Sequence, residues 1–282
     1  MMRIIMALCM ALAAPLLLVA GARAGEIPME ALSELPPADV VFLGEVHDNP
    51  HHHVGQARAI AAIGPRAVVF EMLTPGQASR ITRDLLADGA ALGRTLGWEE
   101  AGWPDFAIYY PIFRALGAAR IYGAARPRPE ARRAFEEGAA AVFGEGAARF
   151  GLDRALPEDE LAARIDEQYE AHCEAMPREM MGGMVEAQRL RDGALAEAAL
   201  RAWRETGGPV VVITGNGHAR RDWGAPALLE KAAPELSVIS VGFLEEGEGA
   251  AWVAGEDPPF DFWAITPAAE RPDPCARLRG GG

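Results

Sequence analysis

The sequence predicts an α/β fold, with a mostly parallel or mixed central sheet flanked by helices and a helical insertion before the fourth strand. Three observations predict it. Short apolar runs recur along the chain, segments of helical periodicity separate them, and polar residues collect directly after the runs. Strands that alternate with helices favour parallel pairing with both sheet faces covered.

Taken in order, Ala38–Leu43 (ADVVFL) reads as a buried strand ending at Gly44, and Ala67–Phe70 (AVVF) as a second ending at Glu71. Arg120–Gly123 is a third, Pro209–Thr214 (PVVVIT) a fourth, Leu236–Val241 a fifth, and Phe260–Ile265 an added edge strand. Helices fill the intervals. Asn49-Pro50 marks a helix start, because Asn caps free backbone N–H groups and Pro suits the first helical position. Helical patterns also cover Pro75 to Leu86, Pro104 to Leu116, Glu130 to Ala140, Pro157 to Cys173, Arg178 to Trp203 and Ala225 to Ala232. The expected organisation is one domain over 25–266, with the helical insertion at about 125–205 and a flexible tail over 267–282.

The chain has 282 residues, of which 27 are Lys or Arg and 40 are Asp or Glu, for a formal charge of −13. That balance argues against nucleic acid as the main partner, since nothing neutralises a row of phosphates. Three cysteines make no disulfide scaffold. The uncharged stretch Ile4 to Ala20, followed by Ala22-Arg23-Ala24, has the pattern of a secretory signal peptide cleaved after Ala24, which implies a periplasmic protein. Cys9 lies inside the apolar stretch after Leu8, so there is no clear lipobox. Cys173 and Cys275 remain in the mature chain and are free to pair in an oxidising compartment.

In open α/β sheets, ligands bind beyond the carboxyl ends of the strands. Gly44-Glu45-Val46-His47 follows the first strand, Glu71 the second, and Gly215-Asn216-Gly217-His218 the fourth. Glu45, His47, Glu71 and His218 are therefore expected to share one cleft, as ligands of a divalent metal ion or as general acid and base. His51, His52 and His53 read as a solvated first helical turn. Trp98, Trp103, Phe106, Tyr109, Tyr110 and Phe113 form an aromatic cluster whose plain reading is core packing. Tyr169, His172, Cys173, Met176, Met180, Met181 and Met184 form a softer one, with side chains of the kinds that ligate haem iron. Gly182-Gly183 would leave room there for a flat ligand. No Gly-x-Gly-x-x-Gly follows a strand, and no Gly-x-Ser-x-Gly elbow is present.

Several of these runs have a family likeness. Leu43-Gly44-Glu45-x-His47-Asp48-Asn49-Pro50-x-His52-His53, Phe70-Glu71, Trp103-Pro104-x-Phe106, Gly182–Gln188 with Arg191-Asp192, and Gly215-Asn216-Gly217-His218-x-Arg220-Arg221-Asp222-Trp223-Gly224-x-Pro226 resemble the ChaN-like haem-binding uptake family. That family belongs to a wider superfamily with TIKI-type metalloproteases, TraB-like proteins and erythromycin esterases. The resemblance spans about 36 to 245. It implies haem as cofactor, a role in iron acquisition, a homodimer with haem between helices near its interface, and haem-transport partners in the periplasm or outer membrane. Tyrosine is the expected iron ligand, with Tyr110 and Tyr169 as candidates. His172, Arg191 and Arg220 would help to hold the haem and its propionates. The superfamily's enzymes imply instead a hydrolase, of esterase or protease type, that uses Glu45, His47, Glu71 and His218.

Overall fold

A computed structural model describes residues 25–247, 257–273 and 275–276. The expected signal peptide and the extreme end of the expected tail lie outside the described residues. Seven strands form one sheet: β1 Gly25–Glu26, β2 Val40–Leu43, β3 Ala67–Phe70, β4 Arg120–Gly123, β5 Val210–Ile213, β6 Val238–Glu245 and β7 Phe262–Thr266. Their order is β1-β7-β6-β2-β5-β3-β4, and every described pairing is parallel. The run over 260–265 was expected at an edge, but β7 lies inside the sheet because Gly25 and Glu26 pair with its outer side.

The helices are α1 Pro50–Ile63, α2 Pro75–Ala78, α3 Arg83–Leu86, α4 Gly89–Leu96, α5 Trp98–Ala101, α6 Phe106–Ala115, α7 Arg128–Glu137, α8 Ala139–Phe143, α9 Glu158–Ala171, α10 Met181–Thr206, α11 Asn216–Ala219 and α12 Ala225–Ala232. The start of α1 follows the expected chemistry. Asn49 is buried, its side-chain oxygen accepts from the His51 N–H at 2.9 Å, and Pro50 occupies the first turn. The stretch expected as one helix from 75 to 86 is two short ones, each entered through a Thr cap, Thr74 and Thr82.

Alternation along the strands separates two cores. Val40, Phe42, Val69, Val210 and Val212 face one side, where Leu190, Leu195, Ala199 and Leu229 of α10 and α12 cover them. Val41, Leu43, Val68, Phe70, Val211 and Ile213 face the other, under Ile60 of α1 and Tyr109, Ile112 and Phe113 of α6. The rings of Phe70 and Phe113 stack at 4.8 Å. Each fully buried side chain of this size contributes about 1.5–3 kcal/mol. The helical stretch between β4 and β5 has two parts. Helices α7 to α9 form the insertion, whereas α10 lies on the sheet and buries fourteen of its residues.

Cys173, just past α9, is disulfide-bonded to Cys275, across 102 positions and a Cα–Cα distance of 5.4 Å. Part of the C-terminal segment is also tied down by charge. Arg271 donates to Asp48 at 2.8 Å and to Glu245 at 2.6 Å.

Candidate functional site

The three strands whose ends carry the candidate groups are neighbours, and their ends are level. Leu43 pairs with Ile213, and Ile213 with Phe70. The next residues of β2, β5 and β3 therefore leave the sheet side by side. The Glu71 N–H donates to the Ile213 carbonyl at 3.0 Å, and the Asn216 N–H to the Glu45 carbonyl at 2.9 Å, so the loops are pinned to one another.

Glu71 lies at the centre. Its Oε2 accepts from Thr214 Oγ1 at 2.6 Å and from the Gly215 N–H at 2.8 Å. Its Oε1 lies 3.6 Å from His218 Nε2 and 3.9 Å from His47 Nε2. Each imidazole is backed by a second carboxylate. Nδ1 of His47 lies 2.7 Å from Glu45 Oε1, and Nδ1 of His218 lies 2.6 Å from Asp192 Oδ1. A buried carboxylate behind Nδ1 fixes the ring and leaves Nε2 at the working edge. Gly215 lets the parts fit, since a Cβ there would come 3.0 Å from His47 Nε2.

Charge follows from this arrangement. Burial opposes protonation of His47, but Glu71 and Glu45 outweigh it and push its pKa up to about 9. His218 is raised as well, because Glu71 and Asp192 flank it and outweigh burial. Burial would raise both glutamates, yet the imidazoles hold Glu45 and Glu71 below the usual carboxylate range.

Glu45 is not in the cleft. It is 2% exposed and lies behind His47, where its oxygens accept from Tyr109 Oη at 2.8 Å and Gln56 Nε2 at 2.7 Å. The expected metal set of Glu45, His47, Glu71 and His218 is thus corrected. Glu45 is taken up behind a histidine, and among the described residues no group of three or more His, Cys, Asp or Glu is arranged to hold a metal ion. The solvated reading of the histidine run is corrected too. His51 is exposed, but His52 and His53 are buried. His52 Nδ1 accepts from the Val46 N–H at 2.9 Å, and the His53 ring lies 3.9 Å from that of Tyr109. Burial drives the His52 pKa down to about 4.

His47, Glu71 and His218 line a cavity of about 730 Å³, together with Arg126, Arg128 and Arg191. Trp103 forms one wall, with its ring edge-to-face against His47 at 5.0 Å. A second cavity of about 800 Å³ shares Trp103 and Glu100, and is lined by Trp98, Phe106 and Tyr110. The aromatic cluster is therefore divided. Tyr109 and Phe113 are core residues, Trp98 is buried but also lines the cavity, and Trp103, Phe106 and Tyr110 border it. The Tyr110 hydroxyl donates to the Leu86 carbonyl at 3.1 Å.

The other expected haem residues are dispersed. Tyr169 and His172 are half-buried near the end of α9, where the Arg178 guanidinium lies 5.5 Å from the Tyr169 ring and His172 Nδ1 bonds the Gln168 carbonyl at 2.7 Å. Arg191 lines the cleft. Arg220 does not. It is buried against Glu167 and Asp222, with its guanidinium 3.6 Å from the Trp223 ring centre. Of the two glycines expected to leave room for a flat ligand, Gly183 is packed, since a Cβ there would meet the Phe135 ring at 2.6 Å, whereas a Cβ at Gly182 would meet nothing within 4 Å. Residues the sequence did not single out for the site are Gln56, Tyr109, Gln188 and Thr214. Gln188 reaches His218 Nδ1 at 3.2 Å.

No curated protein matches the chain. Among solved structures, ChaN of Campylobacter jejuni, described with cofacial heme binding, is 19% identical with a TM-score of 0.56, over 76% of this chain and 84% of that one. That likeness shows the fold. The type III effector HopBA1 is 12% identical with a TM-score of 0.42, over 85% of this chain and 92% of its own. A succinoglycan biosynthesis protein is 10% identical with a TM-score of 0.39, over 74% and 66%. The family model described as haem-binding uptake, Tiki superfamily, ChaN matches residues 31–229, the span that carries β2 to β5, the cleft and the aromatic cavity. The chain therefore belongs to the haem-binding uptake family of ChaN proteins in the Tiki superfamily.

Proposed function

We propose that this protein binds haem for iron uptake in the periplasm, with the porphyrin in the aromatic cavity and Tyr110 as the iron ligand. Family membership supports the haem, and the observation that carries the site is the cavity itself. At about 800 Å³, walled by Trp98, Trp103 and Phe106, it has the size and apolar character a porphyrin needs, with Tyr110 among its lining residues. Bound haem supplies the iron chemistry. The chain's own residues supply a flat apolar slot and, once the bond to Leu86 is given up, a phenolic oxygen. Tyr169 borders neither of the two large cavities and is the second candidate. The Cys173–Cys275 bridge supports an oxidising compartment, as does the leader pattern before Gly25. A haem titration of the mature protein, followed in the Soret region with Tyr110→Phe and Tyr169→Phe alongside, tests the reading. Loss of the tyrosinate-type spectrum in Tyr110→Phe alone is expected. Unchanged binding in both variants sinks the assignment. Light scattering with and without haem tests the homodimer.

One observation favours a second reading as a hydrolase. Two imidazoles with fixed Nδ1 partners converge on one carboxylate, an arrangement suited to moving protons to and from a water and a leaving group. Turnover of ester or peptide substrates that is lost in Glu71→Gln, with haem binding retained, would establish it.

A further inference from the structure

Several arginines of this acidic chain are held in ion pairs. Arg220 meets Glu167 and Asp222, Arg221 meets Glu230 and Asp261, Arg271 meets Glu245 and Asp48, and Arg189 meets Glu186. The cleft gathers three arginines, Arg126, Arg128 and Arg191, around one cavity. Arg191 is half-buried there and has no ion-pair partner among the described residues. Arg126 is ion-paired with Glu130 at 3.3 Å through Nη1, and its Nε is buried with no hydrogen-bond acceptor. Arg128 spends one Nη on the Ala101 carbonyl at 3.2 Å. The opposing carboxylates in the lining are Glu71 and Glu100, and Oε2 of Glu71 is already taken by Thr214 and Gly215. Five basic side chains thus border one cavity in a protein of formal charge −13. An unanswered buried guanidinium donor is costly unless a ligand completes it.

We propose that the cleft at the ends of β2, β3 and β5 is an oxyanion-recognition site, which takes a carboxylate or phosphate group through Arg191 and Arg126 beside the Nε2 edges of His47 and His218. The planar guanidinium fork suits such a group, and two forks from different elements fix its orientation. Trp103 separates this site from the aromatic cavity and is shared by both, so the ligand class is an anionic molecule with an apolar body that extends past Trp103. The site stands whether or not haem occupies that cavity.

Calorimetric titration of the mature, disulfide-bonded protein with succinate, and separately with inorganic phosphate, tests the proposal at fixed ionic strength in chloride. Saturable binding of at least one probe is expected. It should weaken at least about tenfold in Arg191→Gln and in Arg126→Gln, the usual worth of a charge-assisted hydrogen bond. Arg58→Gln, a surface change on α1, should bind like the parent. Arg191→Gln removes no ion pair, so it keeps the test valid if Arg126→Gln fails to fold. Failure of both probes to saturate overturns the proposal, as does equal binding by Arg191→Gln and Arg58→Gln. Haem and its dimethyl ester separate the two sources of the anion. A preference for the free acid that disappears in Arg191→Gln assigns the site to a propionate. Equal binding of the two, with succinate binding intact, assigns it to a separate carboxylate ligand. If haem fails to bind while succinate binds, the haem reading falls and the oxyanion site stands.

Discussion

The two cavities on either side of Trp103 are built by different means. The cleft is a hydrogen-bonded frame, in which Glu45, Glu71 and Asp192 hold His47 and His218 through contacts of 2.6–3.9 Å fixed to adjacent strand ends. The aromatic cavity is a packing product of α4, α5 and α6, where rings lean on one another at 4.8–6.4 Å and polar contacts are few. A frame of charges is damaged by loss of a single partner, whereas a packed wall is damaged in proportion to the volume removed.

Four changes sharpen that contrast. Glu45→Ala has the largest expected effect. It leaves His47, Gln56 and Tyr109 without their shared acceptor in a buried setting, at a cost of about 4–5 kcal/mol, read as a lowered denaturation midpoint. Trp98→Ala, at 3% exposure, opens a void and costs about 3–4 kcal/mol. It should leave the His47 titration, followed by NMR, close to the parent's, and a large shift would mean that the two regions are one unit. The third change is pH. His47 has a folded pKa of about 9, above its ordinary 6.5, so its contribution to stability is full below 6.5 and is lost as pH rises through 9. With its side chain 34% exposed, solvent screening reduces the loss to about 1–2 kcal/mol. Chemical denaturation at pH 6 and pH 9.5 checks this, with His47→Gln as the variant in which the dependence flattens. The smallest effect belongs to Gly215→Ala, whose added methyl presses on His47. A cost of about 1 kcal/mol and a lowered His47 pKa are expected, since the ring is pushed from Glu71.

What the sequence revealed follows the same division. Strand ends are local features, so Glu45, His47, Glu71 and His218 could be located from short apolar runs and the rule for open sheets. Asn49-Pro50 was equally local. The partners that complete the frame come from afar. Tyr109 reaches Glu45 across 64 positions and Asp192 reaches His218 across 26, and no spacing in the chain encodes either contact. Helices α4 and α5 escaped notice because Gly89, Gly93 and Gly97 weigh against helix by propensity. The helix forms there nonetheless, capped by Asp88 and anchored by buried Leu92 and Leu96, and its glycines leave room for the rings of Tyr110 and Phe106, 3.0 and 3.1 Å from a Cβ at Gly89 and Gly93. Burial of His52 and His53 was hidden for a related reason. A polar run at a helix start reads as solvated unless a second helix, here α6 with Tyr109, is known to cover it.

The parallel order of the strands also dictates when the site comes into being. Among the described residues, strand β2, made early, pairs only with β5 and β6, and Asp39 at its entrance bonds Ser237 across 198 positions. Such distant pairing forms slowly and only after the intervening chain is available. The centre of the sheet must wait until residues near 245 have been synthesised, and the loop bearing Glu45 and His47 waits with it. Until β5 and β6 are present β2 has no described neighbour to pair with, so the loop that carries Glu45 and His47 gains its frame only when the C-terminal part of the sheet joins it.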